Sequence, residues 1–237
     1  MEQSPLLTVE NVSVTFDAHR VLDDVSFTVQ QGHTVAILGP NGSGKSTLLR
    51  AILGLIPYEG RVTWASGIRM AYVPQTFTVE RSLPLTVAEF FLLKKVHGSA
   101  VAQVLRDVGL APEPHDGHSL LRQPLGTLSG GQLQRILIAW SIVDKPNVLL
   151  FDEPTSGIDV GGQQNIYSLL NTIKKERGLT ILLISHDLHV VFSHADSVLC
   201  INKTLTCQGV PSEALDAKAL ASLYGKHVSV YSHQHHE

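Results

Sequence analysis

Charge is scarce in this chain. Only 16% of its 237 residues are Asp, Glu, Lys or Arg, against roughly 25% in an ordinary soluble domain. Eighteen basic and 21 acidic side chains leave a formal net charge of −3. A surface with no basic excess has little with which to neutralise phosphate backbones, which argues against a generally nucleic-acid-binding surface. Disorder is excluded, because 43% of the residues are hydrophobic and only a chain poor in such residues stays unfolded. Long apolar runs are missing. Stretches such as Ile136–Trp140 and Ile181–Ile184 fall far short of the roughly 18 residues that span a bilayer, so the chain is expected not to cross a membrane by itself. Met1-Glu2-Gln3-Ser4-Pro5 has neither the basic start nor the apolar core of a signal peptide, and a cytoplasmic location is expected. Cysteine is nearly absent. Cys200 and Cys207 make no CxxC metal or redox motif and read as buried small hydrophobes in a reducing compartment.

What is present has the periodicity of an α/β protein. Val12-Ser13-Val14-Thr15-Phe16 and Val25-Ser26-Phe27-Thr28-Val29 alternate with period two, which predicts half-buried antiparallel strands. The runs Thr34–Leu38, Val148–Phe151 and Thr180–Ile184 are continuously apolar, as strands covered on both faces of a parallel sheet are. Helical spacing appears at Leu133, Ile136, Leu137 and Trp140. From Thr76 to Leu128 no strand-like run occurs. There Thr86-x-x-Glu89 has the form of a capping box, and Val101, Val104, Leu105 and Val108 make an apolar stripe. This stretch reads as an inserted helical subdomain, with a loop around Pro112, Pro114 and His115 to His118. The expected division is residues 1–75 and 129–223 as an α/β core with an N-terminal antiparallel β subdomain, 76–128 as the helical subdomain, and 224–237 as a histidine-bearing tail.

Gly39-Pro40-Asn41-Gly42-Ser43-Gly44-Lys45-Ser46 fits G-x-x-x-x-G-K-[ST] between a predicted strand and the helical pattern that Thr47 opens. Glycines let successive backbone N–H groups point at a phosphate, and the helix adds its positive end. Lys45 would meet the β- and γ-phosphates, and the Ser46 hydroxyl would ligate Mg²⁺. Val148-Leu149-Leu150-Phe151-Asp152-Glu153 ends a strand in two carboxylates whose side chains cannot point the same way. Asp152 is the metal candidate, and Glu153 is free to polarise a water.

Leu128-Ser129-Gly130-Gly131-Gln132 stands before a second helix. Ser129 and Gln132 fit a capping box, but glycines in a first turn weaken a helix by roughly 1 kcal/mol each. They make sense where a ligand must approach bare N–H groups. Two phosphate-binding helix ends on one compact chain suggest a nucleotide shared between two copies.

At this point the chain resembles, from about Leu7 to Leu223, the ATP-binding subunit of ABC transporters. The likeness rests on Gly39–Ser46, Asp152-Glu153, the signature Leu128–Gln132, Gln75 in Tyr72-Val73-Pro74-Gln75, Ser156-Gly157-Ile158-Asp159, and Ser185-His186-Asp187 after a strand. The resemblance implies a P-loop NTPase core, ATP and Mg²⁺ as cofactors, and a head-to-tail homodimer driving a membrane permease. By the same resemblance Glu153 is the general base, His186 meets the γ-phosphate and the attacking water, and Gln75 reaches Mg²⁺ and reports nucleotide state to the helical subdomain. Ser129 and Gly131 would donate to the other copy's ATP, with Gly130 and Gln132 beside them, and Asp159 would line the seam. Phe16 holds the place of the adenine-stacking aromatic; its alternative is a core strand residue. Gly157 replaces a more usual alanine, and Trp140 stands where an arginine is common.

The segments Leu83–Val87, Ser185–Val191 and Ser197–Asn202 are similar to those of the subgroup serving zinc and manganese uptake, particularly bacterial zinc importers. That likeness implies a peripheral protein on the cytoplasmic membrane face, with an extracytoplasmic metal-binding protein as an indirect partner and no nucleic acid. Manganese or iron import, or a soluble ABC ATPase, are the alternatives. The tail His233-Gln234-His235-His236-Glu237 is either a solvated end or a zinc ligand set.

Overall fold

The computed structural model describes residues 4–110, 120–153 and 160–224. The chain begins with β1 (Leu7–Phe16), β2 (His19–Val29), β3 (Thr34–Leu38), α1 (Lys45–Ile52), β4 (Glu59–Trp64) and β5 (Met70–Val73). There follow α2 (Val87–Leu92), α3 (Ser99–Asp107), two 3₁₀ turns (Leu120–Arg122 and Leu125–Thr127), α4 (Gly130–Ile142), β6 (Val148–Asp152), α5 (Val160–Arg177) and β7 (Thr180–Ile184). The chain ends its described part with α6 (Leu188–His194), β8 (Ser197–Asn202), β9 (Thr204–Gly209), α7 (Pro211–Ala214) and α8 (Ala217–Tyr224). Two compact units result, residues 1–65 with 184–237 and residues 66–183.

In the first unit β1 pairs antiparallel with both β2 and β4. The period-two pattern is realised in β2, where Val25, Phe27 and Val29 are buried and Ser26 and Thr28 exposed; in β1 Val12 and Val14 are buried, but so is Ser13 between them, and Phe16 is exposed. β3 pairs parallel with β8, and every residue of β3 is buried, as its continuous apolar run requires. Leu38, Val198 and Cys200 pack with Val191, Leu215, Leu220 and Leu223, so the C-terminal helices close over these strands. Asp187 caps α6 by accepting from the N–H groups of His189 (2.8 Å) and Val190 (3.4 Å).

One expectation is corrected here. Cys200 is buried as a small hydrophobe would be, but it and Cys207 are joined by a disulfide. They stand seven positions apart in sequence, and the β8–β9 hairpin folds back between them at Lys203. The antiparallel register then sets the two opposite each other with Cα atoms 4.8 Å apart, within bridging range.

In the second unit β5 pairs parallel with β6, whose five residues are all buried. The region after β5 is helical: α2 opens with the capping box of Thr86 and Glu89, and α3 buries Val101, Val104 and Leu105. Arg177 at the end of α5 donates to Ile142 O at 3.0 Å and pairs with Asp107, which ties α5 to the ends of α3 and α4. The loop expected around Pro112 to His118 lies outside the described residues. No helix among the described residues is long and apolar enough to cross a membrane.

Candidate nucleotide-binding site

The first unit builds the glycine-rich loop over residues 39–46. β3 delivers the chain to Gly39, whose φ of +154° suits glycine. A Cβ there would overlap the carbonyl oxygen of Ile201 and lie 2.6 Å from Ser43 Oγ. Main chain backs the loop at Ser43, where Lys203 N–H donates to Ser43 O at 3.0 Å and Asp23 N–H in turn to Lys203 O at 2.8 Å, while the Leu22 side chain lies against Gly44. Gly44, also left-handed, turns the loop into α1, which has no acidic residue in its first turn to compete for an incoming anion.

Inside the loop Lys45 is only 6% exposed, and its Nζ donates to the carbonyls of Gly39 and Pro40, both at 2.9 Å. The loop therefore holds a cation in place by its own backbone. Ser43 Oγ is buried with no hydrogen-bond partner, an orphaned polar atom of the kind a ligand satisfies. Asn41 and Gly42 are exposed at the rim, and Ser46 and Thr47 are half-buried in the first helical turn. These features fit a bound phosphate chain.

His186 is exposed just past β7, where Ser185 N–H donates to Ile37 O at 3.4 Å and Asp187 N–H to Ser185 Oγ at 3.1 Å. This places His186 on the backbone that flanks β3. The sequence reading missed Tyr224. Burial pushes its phenol up, and the nearby Gly39 N–H acts the other way without making a hydrogen bond of normal geometry. Phe16 ends β1 with 43% of its surface exposed, so its ring is outside the core.

The second unit carries the carboxylates. Asp152, 3% exposed at the end of β6, accepts from Tyr72 Oη at 3.3 Å. Glu153 follows with φ +48°, a left-handed conformation uncommon for glutamate. The turn brings its Oε2 within 2.7 Å of Gln75 Nε2, which donates to it. The two residues stand 78 apart in sequence, and no local signal joins them. Tyr72 was legible only as part of the strand leading to Gln75.

Ser129 caps α4, its Oγ accepting from Gln132 N–H at 3.2 Å while Gln132 Oε1 accepts from Ser129 N–H at 3.0 Å. The capping box exists, and the Ser129 hydroxyl still has its proton to give. Ser129 and Gly130 are exposed, and a Cβ on Gly131 would meet nothing within 4 Å. Asp159, the rest of Ser156–Asp159 and the histidine tail lie outside the described residues. Among the described residues no three His, Cys, Asp or Glu side chains converge to hold a metal. Mg²⁺ fits that donor set only as it is usually held, by one or two protein oxygens plus phosphates.

The ABC transporter family profile matches residues 22–156, which contain the phosphate loop, Gln75, the signature, Asp152 and Glu153. This chain belongs to the ABC transporter family. It is 40% identical over 238 residues to the zinc import ATP-binding protein ZnuC of Photorhabdus laumondii subsp. laumondii, covering 98% of this chain and 90% of that protein. Among solved structures, a transporter assigned to the metal-chelate ABC type, in an inward-facing conformation, aligns with a TM-score of 0.81 at 27% identity. It covers 93% of this chain and 89% of its own. The cbiO1 protein of Clostridium perfringens, part of the ABC transporter complex cbiONQ, aligns at 0.75 with 27% identity, covering 93% and 94%. The mixed α/β architecture is thus that of ABC ATP-binding subunits, and Phe16, Asp159 and His186 fall outside the matched family segment.

Proposed function

We propose that this chain is the ATP-hydrolysing subunit of an importer that moves a divalent metal ion, zinc foremost, through a membrane permease. The observation that carries the reading is the 40% identity over nearly the whole chain to a zinc import ATP-binding protein. The buried Lys45 and the Gln75–Glu153 hydrogen bond supply the chemistry it needs. Two copies would share two nucleotides, each held between the phosphate loop of one and Ser129–Gln132 of the other, with Asp159 at the seam. Residues 76–128 would act as the helical subdomain facing the permease at the cytoplasmic membrane surface, and an extracytoplasmic binding protein would present the metal.

In this reading the backbone N–H groups of Gly39–Ser46 and the Lys45 ammonium bind the β- and γ-phosphates. Phe16 offers a ring face to adenine. Ser46, Asp152 and Gln75 are the residues that would hold Mg²⁺, which when bound neutralises charge on the phosphate oxygens. Glu153 orients the attacking water and takes its proton at Oε. Gln75 fixes that carboxylate through its 2.7 Å hydrogen bond, and His186 holds the water against the γ-phosphate.

Glu153→Gln keeps the shape and loses the base. Radiolabelled ATP should still bind at the parental affinity, while phosphate release slows at least about a hundredfold. Lys45→Ala should weaken binding instead. Turnover of Glu153→Gln at the parental rate overturns the assignment of the base. Uptake of zinc, manganese and iron by cells lacking the gene decides the cargo.

A further inference from the structure

The second unit holds an aromatic stack that the site described above does not use. Phe77 lies two residues beyond Gln75 and is 37% exposed; its ring centroid is 5.9 Å from that of Phe90 in α2. Phe90, buried, lies 5.0 Å from Trp140 in α4 with the ring planes inclined by only 21°. The pair is also hydrogen-bonded, because Trp140 Nε1–H donates to Phe90 O at 3.2 Å. Lys94 closes the assembly from just past α2. Its ammonium sits 3.9 Å from the Trp140 ring centroid, donates to Trp140 O at 2.9 Å and pairs with Asp144 at 2.6 Å.

These contacts join two pieces of the site. At one end is the segment whose Gln75 holds Glu153, and at the other is α4, whose first turn carries Ser129–Gln132. Rings in contact pass a displacement to one another, and the buried Phe90 at the centre of the stack leaves little room to absorb it. A ring stack, a hydrogen bond and a cation thus tie α2 to the C-terminal half of α4. The partners are matched: a cation 3.9 Å from a ring is attracted by the π face, whereas an arginine at position 140 would set two like charges together.

Building on the ATPase reading, we propose that Trp140 is a positioning residue for hydrolysis, coupling the Gln75 loop to the signature helix through Phe90 and Phe77. Movement of Gln75 on nucleotide binding is then passed along the stack to Ser129–Gln132.

The chain has two tryptophans, Trp64 and Trp140, so the full-length Trp64→Phe variant leaves Trp140 as its sole tryptophan emitter. With a non-hydrolysable ATP analogue and Mg²⁺, binding is followed by equilibrium dialysis and Trp140 emission is read on the same sample. The expected result is a nucleotide-dependent emission change that Phe77→Ala abolishes while analogue affinity stays within twofold. Trp140→Leu should lower kcat at least fivefold with the KM for ATP within twofold, and Trp140→Phe should recover at least half of that loss. Saturating analogue with no emission change overturns the proposal alone. So does a Phe77→Ala chain that keeps the full response, which is the behaviour of a purely structural tryptophan. Should Trp140→Leu fail to fold, the Phe77→Ala emission result decides. A parent chain that binds no analogue overturns both the proposal and the ATPase reading beneath it.

Discussion

Replacing Gly39 with alanine should damage the protein far more than the same change at Gly42, although both glycines belong to the phosphate loop. At position 39 the new methyl overlaps Ile201 O and comes within 2.6 Å of Ser43 Oγ. The serine hydroxyl can rotate away. The carbonyl cannot, because Ile201 lies in β8, held by β3 on one side and β9 on the other. Overpacking against such a wall costs about 1–3 kcal/mol, and φ of +154° adds about 1–2 kcal/mol of backbone strain for a residue with a Cβ. The total, about 4 kcal/mol, corresponds in a chain of this length to a melting temperature lower by about 10 °C. At Gly42, with φ +77°, a Cβ meets nothing within 4 Å, so only the backbone term of about 1 kcal/mol remains, a shift of about 3 °C. Calorimetric melts of the nucleotide-free variants beside the parent measure both. Equal shifts, or a Gly39→Ala chain that melts with the parent, would refute the buttressing of the loop by β8.

Thr86→Ala removes the cap of α2 and should cost about 1 kcal/mol in urea unfolding. The Glu89 carboxyl is held below its usual range first by the Thr86 N–H and then by its hydroxyl; the variant loses only the hydroxyl, so the carboxyl should rise part of the way when followed by NMR titration. His194 gives a pH dependence. Burial and the neighbouring His189 disfavour its imidazolium, so the unfolded chain takes up the proton first, near pH 6.5. Stability from this group is complete above that value and is lost as pH falls below it. Melts between pH 7.5 and 5.5 should show the decline, with a shallower slope in His194→Gln; an unchanged slope refutes the role.

The parts of this molecule written in local pattern were legible in the sequence. β3, β6 and β7 follow from unbroken apolar runs, and both capping boxes from four-residue patterns whose hydrogen bonds then form. The phosphate loop was legible because its glycines, lysine and flanking elements are contiguous. What stayed hidden depends on chain segments meeting far from home. Gln75 and Glu153 touch across 78 residues and Phe90 and Trp140 across 50; the helical spacing of Trp140 showed which face it lay on, not what it would meet. The cysteines, read as two separate buried hydrophobes, were misread for the same reason: only the register of the β8–β9 hairpin sets them opposite each other.

Part of the wall behind the phosphate loop is made of peptide groups, the Ile201 carbonyl and the Lys203 amide among them, and Lys203 itself is exposed. A support of this kind tolerates different side chains at position 203, provided the residue keeps its N–H and accepts a left-handed φ of +63°. Substitutions there can accumulate over evolutionary time while the cradle keeps its shape, provided the strand does not shift. Engineered labels or surface redesign at Lys203 should therefore leave nucleotide affinity untouched, whereas inserting a single residue into β8 would dismantle the cradle without altering any letter of its motif.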